Sequence, residues 1–115
     1  MGFLDILSGL GKAAGQAMND TMVKNTLTMW EKVKSAPESR LVDFYEQNNS
    51  AEKNNSTNRA MALAALQNVG SYQARQFLER DESARRSLRN IREKVSLESS
   101  NSAERLRSAI DELLR

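Results

Sequence analysis

Beyond residue 15, Pro37 and Gly70 are the only proline and glycine in one hundred residues of chain. A β-sandwich or barrel of this length needs many turn residues and runs of β-branched side chains, and this chain has neither. The sequence therefore predicts an all-α protein: a small irregular bundle of six or seven short helices with short connections. The 115 residues suit one domain. Aromatic residues make up only 5% of the chain, so Leu, Ala, Met, Val and Ile must build the core. A core of that kind is modest, and partner binding or self-association would add to its stability.

The other four glycines fall in the first fifteen residues. Phe3, Leu7, Leu10 and Ala14 recur at i, i+4, i+7 and i+11, with Leu4 and Ile6 widening the stripe. Gly9, Gly11 and Gly15 each cost a helix about 1 kcal/mol against alanine. The segment is thus an amphipathic helix that needs an apolar surface to form, and we set residues 1–17 apart from a single helical domain over 18–115. Short Gly-rich amphipathic starts of this kind resemble membrane-active peptides and the terminal segments of some phage virion proteins. That resemblance covers about fifteen residues and implies a peripheral membrane or virion role as an alternative. Lys12 alone offsets Asp5, so attraction to anionic lipid is weak.

Along the domain, Asn19 or Asp20 is placed to cap a helix running to about Ser35, with Met22, Val23, Leu27, Trp30 and Val33 on one side. Ser35 and Glu38 have capping-box spacing ahead of a helix over 37–48, which buries Leu41, Val42, Phe44 and Tyr45. Residues 47–58 hold no large apolar side chain and many Asn, and predict a polar linker. Residues 58–69 are apolar almost all round, which predicts a central helix ended by Gly70. Ser71 precedes a short helix over 72–80. Asp81 is placed to cap a helix over 82–98, with Ala84, Leu88, Ile91 and Val95 as its stripe. Ser102 is placed to cap a last helix over 103–115 that turns Leu106, Ile110, Leu113 and Leu114 inward. Residues 60–91 resemble one α-solenoid repeat of the HEAT kind, but no second copy follows and stable arrays need several, so no family is implied.

Chemistry is sparse. The chain has no Cys and no His, which removes thiolate zinc sites, the commonest general base and the commonest metal ligand. No nucleophile-elbow or phosphate-loop pattern occurs. Glu82/Arg86, Arg89/Glu93 and Glu104/Arg107 read as surface pairs. We expect no enzyme, no cofactor and no small-molecule substrate. No membrane span or secretory signal is visible, so a cytoplasmic setting is expected.

Charge is uneven in kind. Residues 71–115 use nine Arg to one Lys, whereas the first seventy use mostly Lys. Arg85, Arg89 and Arg92 lie at i, i+4 and i+7, with Arg86 and Lys94 widening the patch. The sequence reading is therefore a non-enzymatic interaction protein that binds another protein and itself. Its contact residues are Phe3, Leu4, Leu7 and Leu10 at the start and Arg85, Arg86, Arg89 and Arg92 in the Arg-bearing helix. Membrane attachment through residues 2–15 is the first alternative, and nucleic-acid binding through helix 82–98 is the second.

Overall fold

The computed structural model describes residues 12–115, with side chains from Thr21 onward. These residues form six helices: α1 (Lys12–Val33), α2 (Glu38–Gln47), α3 (Ser56–Asn68), α4 (Gln73–Leu78), α5 (Glu82–Lys94) and α6 (Asn101–Leu114). The all-α reading holds.

Helix α3 is the axis. Every side chain from Arg59 to Leu66 is buried, and the helix packs against all five of the others. Its alanines at 60, 62, 64 and 65 let those neighbours approach closely. The surrounding layer contributes Trp30, Leu41, Tyr45, Leu88, Ile91, Val95, Leu106 and Ile110. The stripe read along 84, 88, 91 and 95 is buried at all four positions. The α3 C-terminus closes as the sequence implies. Gly70 has φ +84°, its N–H donates to the Gln67 carbonyl at 3.1 Å, and the Ser71 N–H donates to the Leu66 carbonyl at 2.9 Å. This is the Schellman pattern, which a left-handed residue makes possible.

Four local expectations are corrected. Helix α1 runs through Asn19 and Asp20 without a cap, because two mid-helix residues of modest propensity cost less than nucleating a second helix. No capping box forms at Ser35: Pro37 occupies the cap position and offers no side-chain bond. Helix α5 ends at Lys94, not near 98. Ser100, not Ser102, caps α6 by accepting from the Ala103 N–H at 3.2 Å, which frees the Ser102 hydroxyl to donate to Glu31.

Residues 48–55 connect α2 to α3 as a loop folded on itself, with Asn49 bridged to Asn54. Asn48 is fully buried. Its amide donates to the Phe44 carbonyl at 2.8 Å, and its side-chain oxygen accepts from Asn58 at 3.0 Å. Part of the polarity that suggests a linker is spent in tying Asn48 to α2 and α3.

Candidate functional site

Two clusters stand out, and only one is open to a partner. The closed one is buried. Asp81 lies at the start of α5, and Arg59 lies on the first turn of α3. The Arg59 Nε donates to Asp81 at 2.7 Å and its Nη2 to the other carboxylate oxygen at 3.2 Å. The Tyr45 hydroxyl donates to Asp81 at 2.7 Å, and the Ala84 N–H donates at 3.0 Å, which is the helix cap the sequence predicts. Burial by itself raises the Asp81 carboxyl, but the bonds from Arg59, Tyr45 and Ala84 outweigh it and hold the group below its ordinary value. Burial and the Asp81 charge push the Tyr45 phenol up. The remaining Arg59 nitrogen donates to the Asn48 carbonyl at 3.0 Å and to Asn54. This cluster joins α2, the loop, α3 and α5, and its acceptors are filled from within. Among the described residues, no three ligating side chains gather as a metal site requires.

The open cluster is a groove of about 730 Å³ between α1 and the end of α5, lined by Met22, Val23, Asn90, Glu93, Lys94, Ser96, Leu97 and Glu98. Val23 on α1 packs against the core. Met22 precedes it and is half-buried. Across the groove, Leu97 is 97% exposed; among the described residues, Tyr72 and Val69 are the other exposed large apolar side chains. The turn carrying Leu97 is fixed. The Glu98 N–H donates to the Val95 carbonyl at 3.2 Å, the Ser96 hydroxyl donates to the Glu93 carbonyl at 2.8 Å, and Arg107 reaches across from α6 to the carbonyls of Val95 and Glu98. Val95 is the C-cap of α5 and Glu98 lies in the turn beyond it, so one guanidinium nitrogen ties the helix end to the turn. Leu97 is therefore held outward by a built turn.

The residues singled out from sequence are distributed as follows. Phe3, Leu4, Leu7 and Leu10 lie outside the described residues. Arg92 makes a two-bond ion pair with Asp111 on α6, at 2.9 and 3.1 Å. Arg85 leans toward Glu82 at 3.9 Å, so Glu82 takes Arg85 in place of the expected Arg86. Arg86 and Arg89 are exposed, on the outer stripe of α5 that also carries Glu82 and Glu93 at four-residue spacing. No ion pair joins Arg89 to Glu93 among the described residues. Arg107 does not pair with Glu104 and is bound to the carbonyls of Val95 and Glu98, just past α5. The structure thus divides the four arginines: two are held by carboxylates, and two stand on a face of mixed sign.

Leu97 was missed by the helical pattern. It sits two residues after Val95, about 200° round a helix from the buried stripe. In a chain with so few large apolar residues, a Leu on the polar side is the signal that marks it. The sequence matches no family model and no curated protein, and the fold matches no solved structure.

Proposed function

We propose that this protein performs no chemistry of its own and acts in the cytoplasm as a small helical module that binds a partner protein through the groove at Met22, Val23 and Leu97, with self-association as an accompanying state. Leu97 carries the reading. A fully exposed Leu costs stability nothing to replace and gains the fold nothing, yet here a pinned turn holds it outward beside two further apolar side chains. Grooves of this kind accept the apolar face of an amphipathic helix. The polar rim of Asn90, Glu93, Lys94 and Glu98 supplies orientation in place of bulk affinity. The Arg-bearing face contributes less to the reading. With Arg92 and Arg85 engaged, it lacks the run of unopposed cations that phosphate binding needs.

The test compares capture by the full chain with capture by Leu97→Asp and by Arg86→Ala/Arg89→Ala. Partners identified from the native host are then titrated one by one. The reading expects Leu97→Asp to weaken the specific partner at least about tenfold, the scale of losing one central apolar anchor. Equal affinity for wild type and Leu97→Asp would end it. Loss confined to the double arginine variant, with salt-dependent DNA or RNA binding, would install the nucleic-acid reading instead. Light scattering across a concentration series addresses self-association, and a strict monomer would remove that part.

A further inference from the structure

We infer that copies of this chain associate by setting the outer face of α2 in one copy against the outer face of α5 in another, through a register of opposite charges. The inference rests on the self-association proposed above, names the surface that carries it, and is independent of the groove at Leu97.

Charge order carries it. Helices α2 and α5 both pack on α3. Leu41 and Tyr45 of α2 are buried, as are Ala84, Leu88 and Ile91 of α5. The opposite face of α2 presents Arg40, Asp43 and Glu46, and that of α5 presents Glu82, Arg86, Arg89 and Glu93; all seven are exposed. Among the described residues, Glu82 alone of the seven has an ion-pair partner, Arg85. Arg92 is held by Asp111, which leaves Arg86 and Arg89 as the unpaired arginines of α5. The α2 stripe reads base, acid, acid, and the α5 stripe reads acid, base, base, acid. Asp43 and Glu46 are three residues apart, as are Arg86 and Arg89, so each pair spans about 4.5 Å along its helix. Laid side by side in either direction, the two acids of one copy face the two arginines of another. Arg40 then falls beside Glu93 if the helices are antiparallel, or beside Glu82 if they are parallel. Slipping by one turn opposes like charges in either direction, setting Asp43 or Glu46 against Glu82 or Glu93. One register is therefore favoured and its neighbours are penalised. Every copy owns both faces, so two copies can make the contact twice and close a twofold dimer. Charge is the main attraction, so the association is weak and sensitive to salt.

Light scattering of the full chain over a concentration series measures the association at about 0.02 M and about 0.5 M salt. At low salt the wild-type mass should rise with concentration, and high salt should weaken the dissociation constant at least about tenfold. Asp43→Arg/Glu46→Arg makes both faces basic, and Arg86→Glu/Arg89→Glu makes both acidic. Each variant alone should stay monomeric. Mixed in equal amounts, they restore opposite charges at both contacts and should associate at least as tightly as wild type. The four side chains are exposed and unpaired in their own chain, so both variants should fold, which circular dichroism checks. A wild type that stays monomeric at low salt overturns the inference, and the self-association with it. Association untouched by the swaps but lost in Leu97→Asp moves the contact to the groove and overturns the pairing alone. Association lost in the arginine swap only, or a mixture that stays monomeric, removes α2 as the counterpart. Partner capture through Leu97 is read on the same variants and should persist in both swaps, so failure of the groove reading and failure of this pairing are distinguishable.

Discussion

Replacing Asp81 by Asn removes one negative charge and almost no volume. Asn keeps one oxygen, which can still accept from the Ala84 N–H and cap α5, while its NH2 replaces the oxygen that accepts from Tyr45 and Arg59, so the Tyr45 hydroxyl must turn to accept instead. What disappears is the anion facing Arg59, whose side chain is only 5% exposed. Removing one partner of a buried pair leaves an uncompensated charge and costs about 3–5 kcal/mol. Domains of this size have total stabilities of about 5–15 kcal/mol, so the variant should fold with a sharply lower midpoint. At about 4–8 °C per kcal/mol, the fall in Tm should be at least about 12 °C. Arg59→Met has a comparable cost and also removes one of two donors to the Asn48 carbonyl, which keeps the Asn55 N–H.

The double variant carries the argument. With both charges gone, the desolvation penalty goes with them, and Arg59→Met/Asp81→Asn should fall short of the two single losses combined by about 2 kcal/mol or more. Urea unfolding followed by Trp30 fluorescence measures all four proteins, since Trp30 is the only tryptophan and is fully buried. Additive losses, within about 0.5 kcal/mol, would show that the two residues act independently and that the cluster is no ion pair in solution.

Other outcomes follow from neighbouring features. Because bonds in the fold hold the Asp81 carboxyl below its ordinary value of 3.8, its contribution is complete above the unfolded value and is lost as pH falls through the folded one; acid titration of wild type should steepen below about pH 4, and Asp81→Asn should lack that component. Gly70→Ala should cost about 1–2 kcal/mol by urea midpoint: a Cβ there meets nothing within 4 Å, so the loss is backbone strain alone, and Gly70→Asn should recover part of it. Arg92→Ala or Asp111→Ala should cost no more than about 1 kcal/mol, since that pair is exposed, and added salt should shrink the difference. Leu97→Asp should leave the urea midpoint within about 0.5 kcal/mol of wild type while impairing partner capture; a large stability loss would mean that Leu97 serves the fold.

Much of the architecture was legible because it follows from periodicity and a few special residues. The all-round apolar run at 58–69 can only be central, Gly70 can only end it, and the 84/88/91/95 stripe has one buried face. Asp81 was legible as a cap. Its second role was not, because nothing local to Asp81 says that Arg59, twenty-two residues away, is buried beside it. The same blindness hid Asn48: in a run of Asn and Ser, local pattern does not show which one turns inward. The ends of α1 and α5 were misplaced for a related reason. Asn19 and Asp20 have the chemistry of a cap but no helix start to cap, and α5 stops at Lys94 where Arg107 of another helix meets the carbonyls of Val95 and Glu98 just past it. Of the candidate groove, Met22 and Val23 were legible as part of an apolar stripe, whereas Leu97 became a groove residue only once α5 ended early.

The arginine content of the second half changes meaning through the same contacts. Arg107 closes the end of α5. Arg75 reaches from α4 to the carbonyls of Glu112 and Arg115 at the end of α6. Arg92 ties α5 to α6 through Asp111, and Arg59 ties α3 to α5 through Asp81. Guanidinium suits these places because its planar fork satisfies two acceptors at once and never loses its proton, whereas an ammonium meets them as a single point charge. A bundle poor in aromatics and built on a thin alanine-rich centre has little apolar area with which to fix the angle of one helix against the next. Arginine–carbonyl and arginine–carboxylate fasteners supply that orientation. Three arginines of the second half, Arg75, Arg92 and Arg107, are therefore accounted for by how α4, α5 and α6 are joined, and Arg59 by the joint of α3 to α5. These fasteners leave uncovered the turn that Arg107 holds, where Leu97 stands exposed.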